Sequence, residues 1–226
     1  MTAYPAARQR PCSNHSGPMG AHLGLVLHVQ EGNNDLAGEF NNRTAQASYT
    51  FVAYADGGLD QFVDADAIAW AQAQGNGTYN SVGTQGFANE SLTEACCQTI
   101  AALYRWGHDT YGWPYTLAEA PGEPGLGWHG MGDSNGHTGW GGHPACPGDL
   151  RKAQRQHILD LAQGGANQGG TLSAEEVAAL ESHLDASVTA ATRNIDQTVQ
   201  DTRTDLLNAL NQSLALLQRV VDKLGA

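Results

Sequence analysis

The sequence of 226 residues predicts a mixed central β-sheet flanked by helices, followed by one long C-terminal helix. Two observations lead to this fold class. Short apolar or β-rich runs alternate with helical patterns through about residue 165, which is typical of a layered α/β domain. From Ser173 to Leu224 the chain has neither proline nor glycine, and its apolar residues recur with a helical period.

Three segments are predicted strands. The run "LGLVLHV" (23–29) is almost entirely apolar, as expected of a strand that is buried on both faces. The segment "ASYTFVAYADGGLDQFVD" (47–64) predicts a β-hairpin, because its Asp-Gly-Gly triplet can adopt the positive φ angles of a tight turn. The run "SVGTQGF" (81–87) predicts a further strand.

Two helices are predicted within the α/β domain. The first begins with Ser91 as its N-cap and Glu94 three residues later, which is the capping-box arrangement, and it continues to about Tyr104. The second, "CPGDLRKAQRQHILDLAQGG" (146–165), begins after Pro147 and ends at a pair of glycines.

These elements divide the chain into four parts. Residues 1–19 are expected to be an N-terminal extension, and residues 20–163 the α/β domain. The glycine-rich stretch 164–170 is expected to be a flexible linker. Residues 171–226 then form the C-terminal helix.

The apolar residues of the C-terminal helix repeat every 11 residues. One series is Val177, Val188, Val199, Leu210 and Val221, and a second is Leu184, Ile195, Leu206 and Leu217. Eleven residues in three turns give about 3.67 residues per turn, so a bundle of such helices is straight or weakly right-handed. We expect a coiled coil that makes the protein a homo-oligomer. The alternative is one amphipathic helix that lies on its own domain.

Composition and charge exclude several classes of partner. The formal net charge of −12 argues against nucleic acid and against an anionic membrane surface, since both attract cationic proteins. The chain has no run of 18 apolar residues and its N-terminus lacks the apolar core of a signal peptide, so we expect synthesis in the cytoplasm without a signal peptide. Its four cysteines do not resemble a disulfide framework.

Residues of the types that bind metal ions occur at three places in the sequence. His28 ends an apolar strand, and Cys146 lies at the start of a helix, where the helix dipole favours a thiolate. Between them, "GLGWHGMGDSNGHTGWGGHPACPGDL" supplies His129, His137 and His143, and its glycine content argues against an ordinary helix or strand. Two histidines, one cysteine and a water would form a catalytic zinc site.

Five blocks carry a resemblance to a known family. In order, "LVLHVQEGNN", "ASYTFVAYADGGLDQFVD", "YNSVGTQGF", "GLGWHGMG" and "HPACPGDL" resemble the amidase-2 family of zinc N-acetylmuramoyl-L-alanine amidases, and most of all the endolysins of actinobacteria and their phages. The similarity covers about residues 20–155. It implies a zinc-dependent hydrolase of bacterial peptidoglycan, made in a host cytoplasm and acting on the host cell wall.

The resemblance also implies roles for single residues. It makes His28, His129 and Cys146 the zinc ligands, with His137 as the alternative to His129, and it places Tyr49 in the active site. Tyr49 could then donate a hydrogen bond to the developing oxyanion or orient the water.

Two departures from the family pattern bear on catalysis. Some relatives carry a lysine where this chain has Pro144, so neighbouring His143 is a candidate to stabilise the oxyanion or move protons. Many relatives have a histidine after the tryptophan that corresponds to Trp70, and this chain has Ala71. Glu31, three residues beyond His28, is a candidate second carboxylate or general base.

Aromatic residues are candidates for contact with the sugar. They are Trp70, Trp128 and Trp140, although the last two could equally hold the glycine-rich loop against the domain.

Three other functions are open at this point. The domain could bind peptidoglycan without hydrolysing it, or it could be a cell-wall cysteine peptidase that uses Cys12 or Cys146. In the third, the C-terminal helix is the functional part and builds a scaffold.

Overall fold

A computed structural model describes residues 2–164 and six positions near the C-terminus, 199, 202, 203, 206, 207 and 210. The chain divides into two units, Met1–Gly169 and Gly170–Ala226. The six C-terminal positions are helical, whereas the predicted linker from residue 165 onwards and the rest of the predicted C-terminal helix lie outside the described residues. Within the described parts of the chain, none of the helices combines the length and apolar composition of a transmembrane span.

The first unit contains eight strands and four α-helices in its described residues. The strands are β1 (Arg8–Gln9), β2 (His15–Pro18), β3 (Gly24–Val29), β4 (Phe51–Ala53), β5 (Leu59–Gln61), β6 (Ala67–Ala69), β7 (Tyr79–Thr84) and β8 (Gly125–Trp128). The helices are α1 (Ala37–Phe40), α2 (Glu94–Tyr111), α3 (Asp149–Ala153) and α4 (Arg155–Gly164), and two 3₁₀ turns span Ala73–Gly75 and His129–Asp133.

Six of the strands form one mixed sheet in the order β1-β5-β4-β7-β3-β8. Strand β3 lies between β7 and β8 and is parallel to both, and β4 is parallel to β7. The predicted hairpin is confirmed, because β4 and β5 pair antiparallel. Strands β2 and β6 form a separate two-stranded sheet.

The alternation of side chains along β3 directs its residues to two different cores. Leu25 and Leu27 belong to the main apolar cluster, which also contains residues of α2 and α4. Val26 lies in a cluster with Trp128 and Trp140 on the other face. Because side chains alternate along a strand, His28 projects to the same side as Val26. The strand therefore presents His28 to the face that loops cover.

Helix α2 begins later and ends later than its sequence pattern predicts. Its N-cap is Thr93, not Ser91, because the Thr93 hydroxyl accepts the N–H of Cys96 at 3.1 Å. The helix runs to Tyr111 and ends at Gly112, which has a left-handed φ of 76°. A threonine only two residues after the predicted serine made the two starts difficult to distinguish by sequence.

Two other local predictions need correction. The helix predicted over 146–165 begins at Asp149 and is interrupted at Gln154, which separates α3 from α4. The glycine-rich run contains a strand after all, since β8 pairs with β3 along the edge of the sheet. Glycine suits the start of β8, because Gly125 has a φ of 142° and a Cβ there would lie 2.3 Å from the carbonyl oxygen of Thr116.

Residues predicted to be an N-terminal extension add to both sheets. Strand β1 extends the large sheet by pairing with β5, and Arg8 and Arg10 both contact the buried carboxylate of Asp60, at 2.7 and 3.0 Å. The hydroxyl of Tyr54 donates to the same carboxylate at 2.7 Å. These three donors stabilise the charge of a side chain that is almost fully buried.

Candidate metal centre and active site

Three side chains from distant parts of the sequence meet at one end of β3. They are His28 at the end of that strand, His129 directly after β8, and Cys146 before α3. One ligand atom from each lies within 4.8 Å of the other two. Atoms that share a tetrahedral zinc ion lie roughly 3 to 4 Å apart, so small side-chain adjustments suffice to hold one ion. His137 does not belong to this group, and it is exposed.

The ring of His28 is held by Gln72. Its Nε2 lies 3.0 Å from Oε1 of Gln72, and both side chains are buried. The Gln72 amide nitrogen donates to the carbonyls of Gly75 and Tyr79, at 3.3 and 3.1 Å. With the amide nitrogen committed to two acceptors, Oε1 is the atom that faces His28, and the histidine Nε2 must be the donor.

The ring of His129 is held in the same manner by a main-chain group. Its Nε2 lies 2.7 Å from the carbonyl oxygen of Trp140. A carbonyl oxygen only accepts, so Nε2 carries the proton in this ring also. In both histidines Nδ1 is left as the nitrogen with a free lone pair.

Cys146 is fixed from two sides. The N–H of Val29 lies 3.5 Å from its Sγ, and its own carbonyl accepts the N–H of Gly130 at 2.8 Å. The second bond joins the Cys146 segment to the residue next to His129. Glycine is required at position 130, because a Cβ on Gly130 would lie 2.3 Å from the carbonyl oxygen of Pro144.

Burial affects the protonation of all three side chains. It lowers the pKa of His28 well below its ordinary value, with a further contribution from His129, and it also lowers the pKa of His129. Both rings are therefore neutral at pH 7, which is the form that binds metal. Burial raises the pKa of the Cys146 thiol to about 11, and the Val29 N–H opposes this rise. Two neutral imidazoles and one cysteine, which loses its proton and binds as the thiolate, are a donor set that zinc prefers.

The three side chains line a cavity of about 500 Å³. Tyr49 also lines it, with its ring centroid 5.0 Å from that of His28 and its hydroxyl 3.4 Å from the carbonyl oxygen of Val29. The tyrosine ring lies over Gly83 of β7, where a Cβ would be 2.3 Å from the ring. Burial raises the pKa of Tyr49 far above its ordinary value, so its hydroxyl keeps its proton.

Three other residues singled out in the sequence also line this cavity. The ring of His143 is centred 5.2 Å from that of His129, and the side chain is exposed. Glu31 has a left-handed φ of 53° and accepts the N–H of Ala88 at 3.1 Å. The indole N–H of Trp70 donates to the hydroxyl of Ser16 at 2.7 Å, so β2 contributes to the orientation of this ring.

Trp128 and Trp140 occupy a different position. Both are buried in the cluster that contains Val26, and neither is among the residues that line this cavity. The Trp140 ring lies against Gly75 and Gly132, where a Cβ would come within 2.6 and 2.0 Å of it. Their position indicates support of the glycine-rich loop rather than contact with a substrate.

Two residues of the site escaped the sequence interpretation. The carboxylate of Asp133 accepts four backbone N–H groups, from Gly139, Trp140, Gly142 and His143, at 2.9 to 3.1 Å. Burial alone would raise the pKa of Asp133, but the four N–H donors hold that pKa below its usual value. An aspartate before a loop with repeated glycines was the available signal. Gln72 is the second site residue that the sequence interpretation missed, and no signal in the sequence indicated its role.

Comparison with solved structures identifies the fold. The chain is similar to AmpD (TM-score 0.52, 15% identity, 70% of this chain and 96% of that chain) and to the endolysin N-acetylmuramoyl-L-alanine amidase LysCS from Clostridium intestinale (TM-score 0.51, 16% identity, 71% and 99%). It is also similar to the hydrolase AmiA of Staphylococcus aureus in complex with its ligand (TM-score 0.50, 16% identity, 70% and 83%).

Sequence comparison does not extend this result. No protein-family model and no curated protein sequence matches the chain. The structural neighbours are nevertheless N-acetylmuramoyl-L-alanine amidases, which agrees with the order of the five sequence blocks. The chain therefore has the fold of the amidase-2 family that its sequence resembles.

Proposed function

We propose that this protein is a zinc-dependent peptidoglycan hydrolase that cleaves the amide bond between N-acetylmuramic acid and L-alanine. The observation that carries the proposal is the convergence of His28, His129 and Cys146 within 4.8 Å in a cavity wall, each held by a further contact. The amidase fold supports the same assignment. A phage endolysin that lyses its host is the biological role that this chemistry suits best.

The chain's own residues divide the reaction between them. Zinc, when bound, supplies a Lewis acid for the amide carbonyl and lowers the pKa of a water molecule. Tyr49 remains protonated, because burial raises its pKa, and its hydroxyl can donate to the oxygen on which negative charge develops. Its present 3.4 Å contact with the Val29 carbonyl is long, so little is lost when it turns to the substrate.

A proton must reach the departing amine. In the overall reaction the hydroxyl of water joins the carbonyl carbon, the C–N bond breaks, and the alanine nitrogen receives a proton. His143 lines the cavity and is exposed, so it is placed to pass this proton to the nitrogen. Glu31, which also lines the cavity, is the second candidate for proton transfer.

The substrate is expected to lie across the cavity between the three ligands and Trp70. Trp70 is partly exposed, and Arg43 lies 5.6 Å from the centre of its ring. A half-exposed indole next to a reaction centre is suited to packing against a sugar ring. We therefore assign Trp70, rather than Trp128 or Trp140, to the contact with N-acetylmuramic acid.

A cysteine peptidase is a weaker interpretation of the same residues. Reactive cysteines have a lowered pKa, whereas burial raises the pKa of Cys146 to about 11 and raises that of Cys12 as well. Cys12 is buried and lies outside the set of residues that line the main cavity.

Product analysis on purified cell wall tests the proposal. An amidase releases new N-terminal alanine without new reducing ends, and its activity disappears with a strong chelator and returns with Zn²⁺. Alkylation of thiols in the zinc-loaded enzyme should have little effect. New reducing ends would show a glycosidase, and binding to the wall without any product would show a non-catalytic binding module.

We further assign homo-oligomerisation to the C-terminal segment. Of its described positions, Val199, Leu206, Leu207 and Leu210 are helical and expose their side chains. Val199, Leu206 and Leu210 belong to the 11-residue series, and identical copies share that period. Several catalytic domains on one oligomer would remain longer on a repetitive polymer than one domain does.

A further inference from the structure

We infer that Gln72 is a positioning residue that fixes the tautomer and orientation of His28 and so selects Nδ1 as its metal-binding nitrogen. This inference rests on the proposed function only insofar as both require zinc at His28. Gln72 is not among the residues that line the cavity, and it acts through His28.

The first argument is that both the nitrogen and the oxygen of the Gln72 side-chain amide are engaged in hydrogen bonds. Its nitrogen donates to the carbonyls of Gly75 and Tyr79, and its oxygen remains for Nε2 of His28 at 3.0 Å. Rotating the amide by 180° would place its NH₂ group against the histidine and its oxygen against two carbonyl oxygens. Gln72 is only 1% exposed, so water does not relieve that arrangement. The amide therefore has one favourable orientation.

The second argument is the unusual backbone around Gln72. Ala73 has a left-handed φ of 46°, a conformation that costs energy for a residue with a side chain. Oδ1 of Asn76 accepts the N–H groups of both Ala71 and Gln72, at 2.9 and 2.6 Å. A short loop is thus held in a strained form, and the result is that Gln72 is directed into the interior beneath His28.

The third argument is that the same loop also supports the second histidine. Gly75 contacts the Trp140 ring closely, and the carbonyl of Trp140 accepts from Nε2 of His129. Both histidines therefore donate from Nε2 to an acceptor supported by the loop from Ala71 to Asn76. Such outer contacts set which ring nitrogen binds a metal, and their loss typically weakens metal affinity by about 10- to 100-fold.

Nitrogen-15 NMR of the full chain with labelled histidine tests this directly. In the zinc-loaded protein, we expect His28 to show a protonated Nε2 and a metal-bound Nδ1. The His28→Ala variant assigns the His28 signal, because that signal is missing from its spectrum. Coordination of zinc through Nε2 of His28 would overturn the inference. The NMR measurement requires no substrate. An inactive protein with the expected coordination would refute the amidase and leave the role of Gln72 standing.

A pair of matched variants tests the contribution of the side chain. Gln72→Met keeps the length and removes the strong acceptor, so Zn²⁺ affinity in a competition assay should fall about 10- to 100-fold. Gln156→Met makes the same change at an exposed position on α4, outside the cavity lining, and should leave affinity unchanged. Equal affinities in the two variants would overturn the inference. Should Gln72→Met not fold, the NMR result on the wild-type chain decides alone.

Discussion

The carboxylate of Asp133 accepts the backbone N–H of Trp140 at 3.1 Å, and the carbonyl of Trp140 accepts Nε2 of His129 at 2.7 Å. One peptide segment thus links a negative charge to a candidate zinc ligand. The same carboxylate accepts the N–H of His143 at 3.1 Å, so it also sets the position of the candidate proton carrier. The glycine-rich loop is ordered around this single acidic side chain.

Asp133→Asn should loosen that loop and weaken zinc binding. The amide retains one acceptor oxygen and turns an NH₂ group towards N–H groups that need acceptors. We expect the affinity for Zn²⁺ to fall about 10-fold, because Trp140 no longer holds His129 in place. Asp149→Asn, at an exposed carboxylate at the start of α3, is the control. Unchanged affinity in Asp133→Asn would refute this role.

The effect of Asp133 on stability should depend on pH. Because the folded protein holds its pKa below the unfolded value of about 3.9, the ionised carboxylate contributes stability above that pH. The contribution is lost as pH falls through the folded pKa. Urea unfolding of the metal-free protein between pH 3 and 7 should show wild type and Asp133→Asn converging only at the acidic end. A constant difference would contradict the prediction.

Single substitutions of the three candidate ligands should abolish hydrolysis. His28→Ala, His129→Ala and Cys146→Ser each remove one donor from a three-donor site, so bound zinc measured by metal analysis should also fall. His137→Ala is the matched control, since this exposed histidine lies outside the group. Loss of zinc in His137→Ala with normal zinc in His129→Ala would reverse the assignment of the second histidine.

Tyr49→Phe should reduce kcat on the order of 100-fold without loss of bound zinc, because only the hydroxyl that stabilises the oxyanion is removed. Gly83→Ala should also lower activity, since a Cβ 2.3 Å from the tyrosine ring displaces it with its hydroxyl intact. Tyr115→Phe, outside the cavity lining, serves as the control. Full activity in Tyr49→Phe would exclude a role for its hydroxyl in the reaction.

The arginines of the N-terminal segment should stabilise the domain through Asp60. Replacing Arg8 and Arg10 together by alanine leaves a buried carboxylate with Tyr54 alone, and we expect Tm to fall by about 5 °C. Adding Asp60→Asn to that variant removes the uncompensated charge and should recover part of the loss. Thermal unfolding measures both effects, and no recovery in the triple variant would show that the arginines act by packing alone.

Removal of the C-terminal segment should change the assembly state. A chain that ends at Gly164 lacks the 11-residue repeat and should sediment as a monomer, whereas the full chain should sediment as an oligomer. Replacing Leu206 and Leu210 by Glu in the full chain should give the same result with the length preserved. If the full chain is itself a monomer, the repeat does not mediate self-association.

Short stretches of sequence were enough to predict four of the strands and to indicate the three candidate ligands. The apolar run before His28 and the Asp-Gly-Gly turn of the hairpin act locally, so their patterns predict β3 and the β4–β5 pair. The order of five blocks predicted the amidase fold, which the structural neighbours confirm. The same blocks indicated His28, His129 and Cys146 as candidate zinc ligands. That assignment came from the sequence without any information on their geometry.

Contacts between distant segments could be decided only by the tertiary structure. Gln72 meets His28 across 44 residues, and Arg8 of β1 meets Asp60 across 52, so no local pattern marks either pairing. The same holds for Trp128 and Trp140, because a tryptophan in a glycine-rich run has the same sequence pattern whether it contacts a sugar or fills a core. The sequence determined which side chains are candidates for the proposed chemistry. The fold decided which hydrogen bonds hold them, because those partners are chosen by burial and proximity in space.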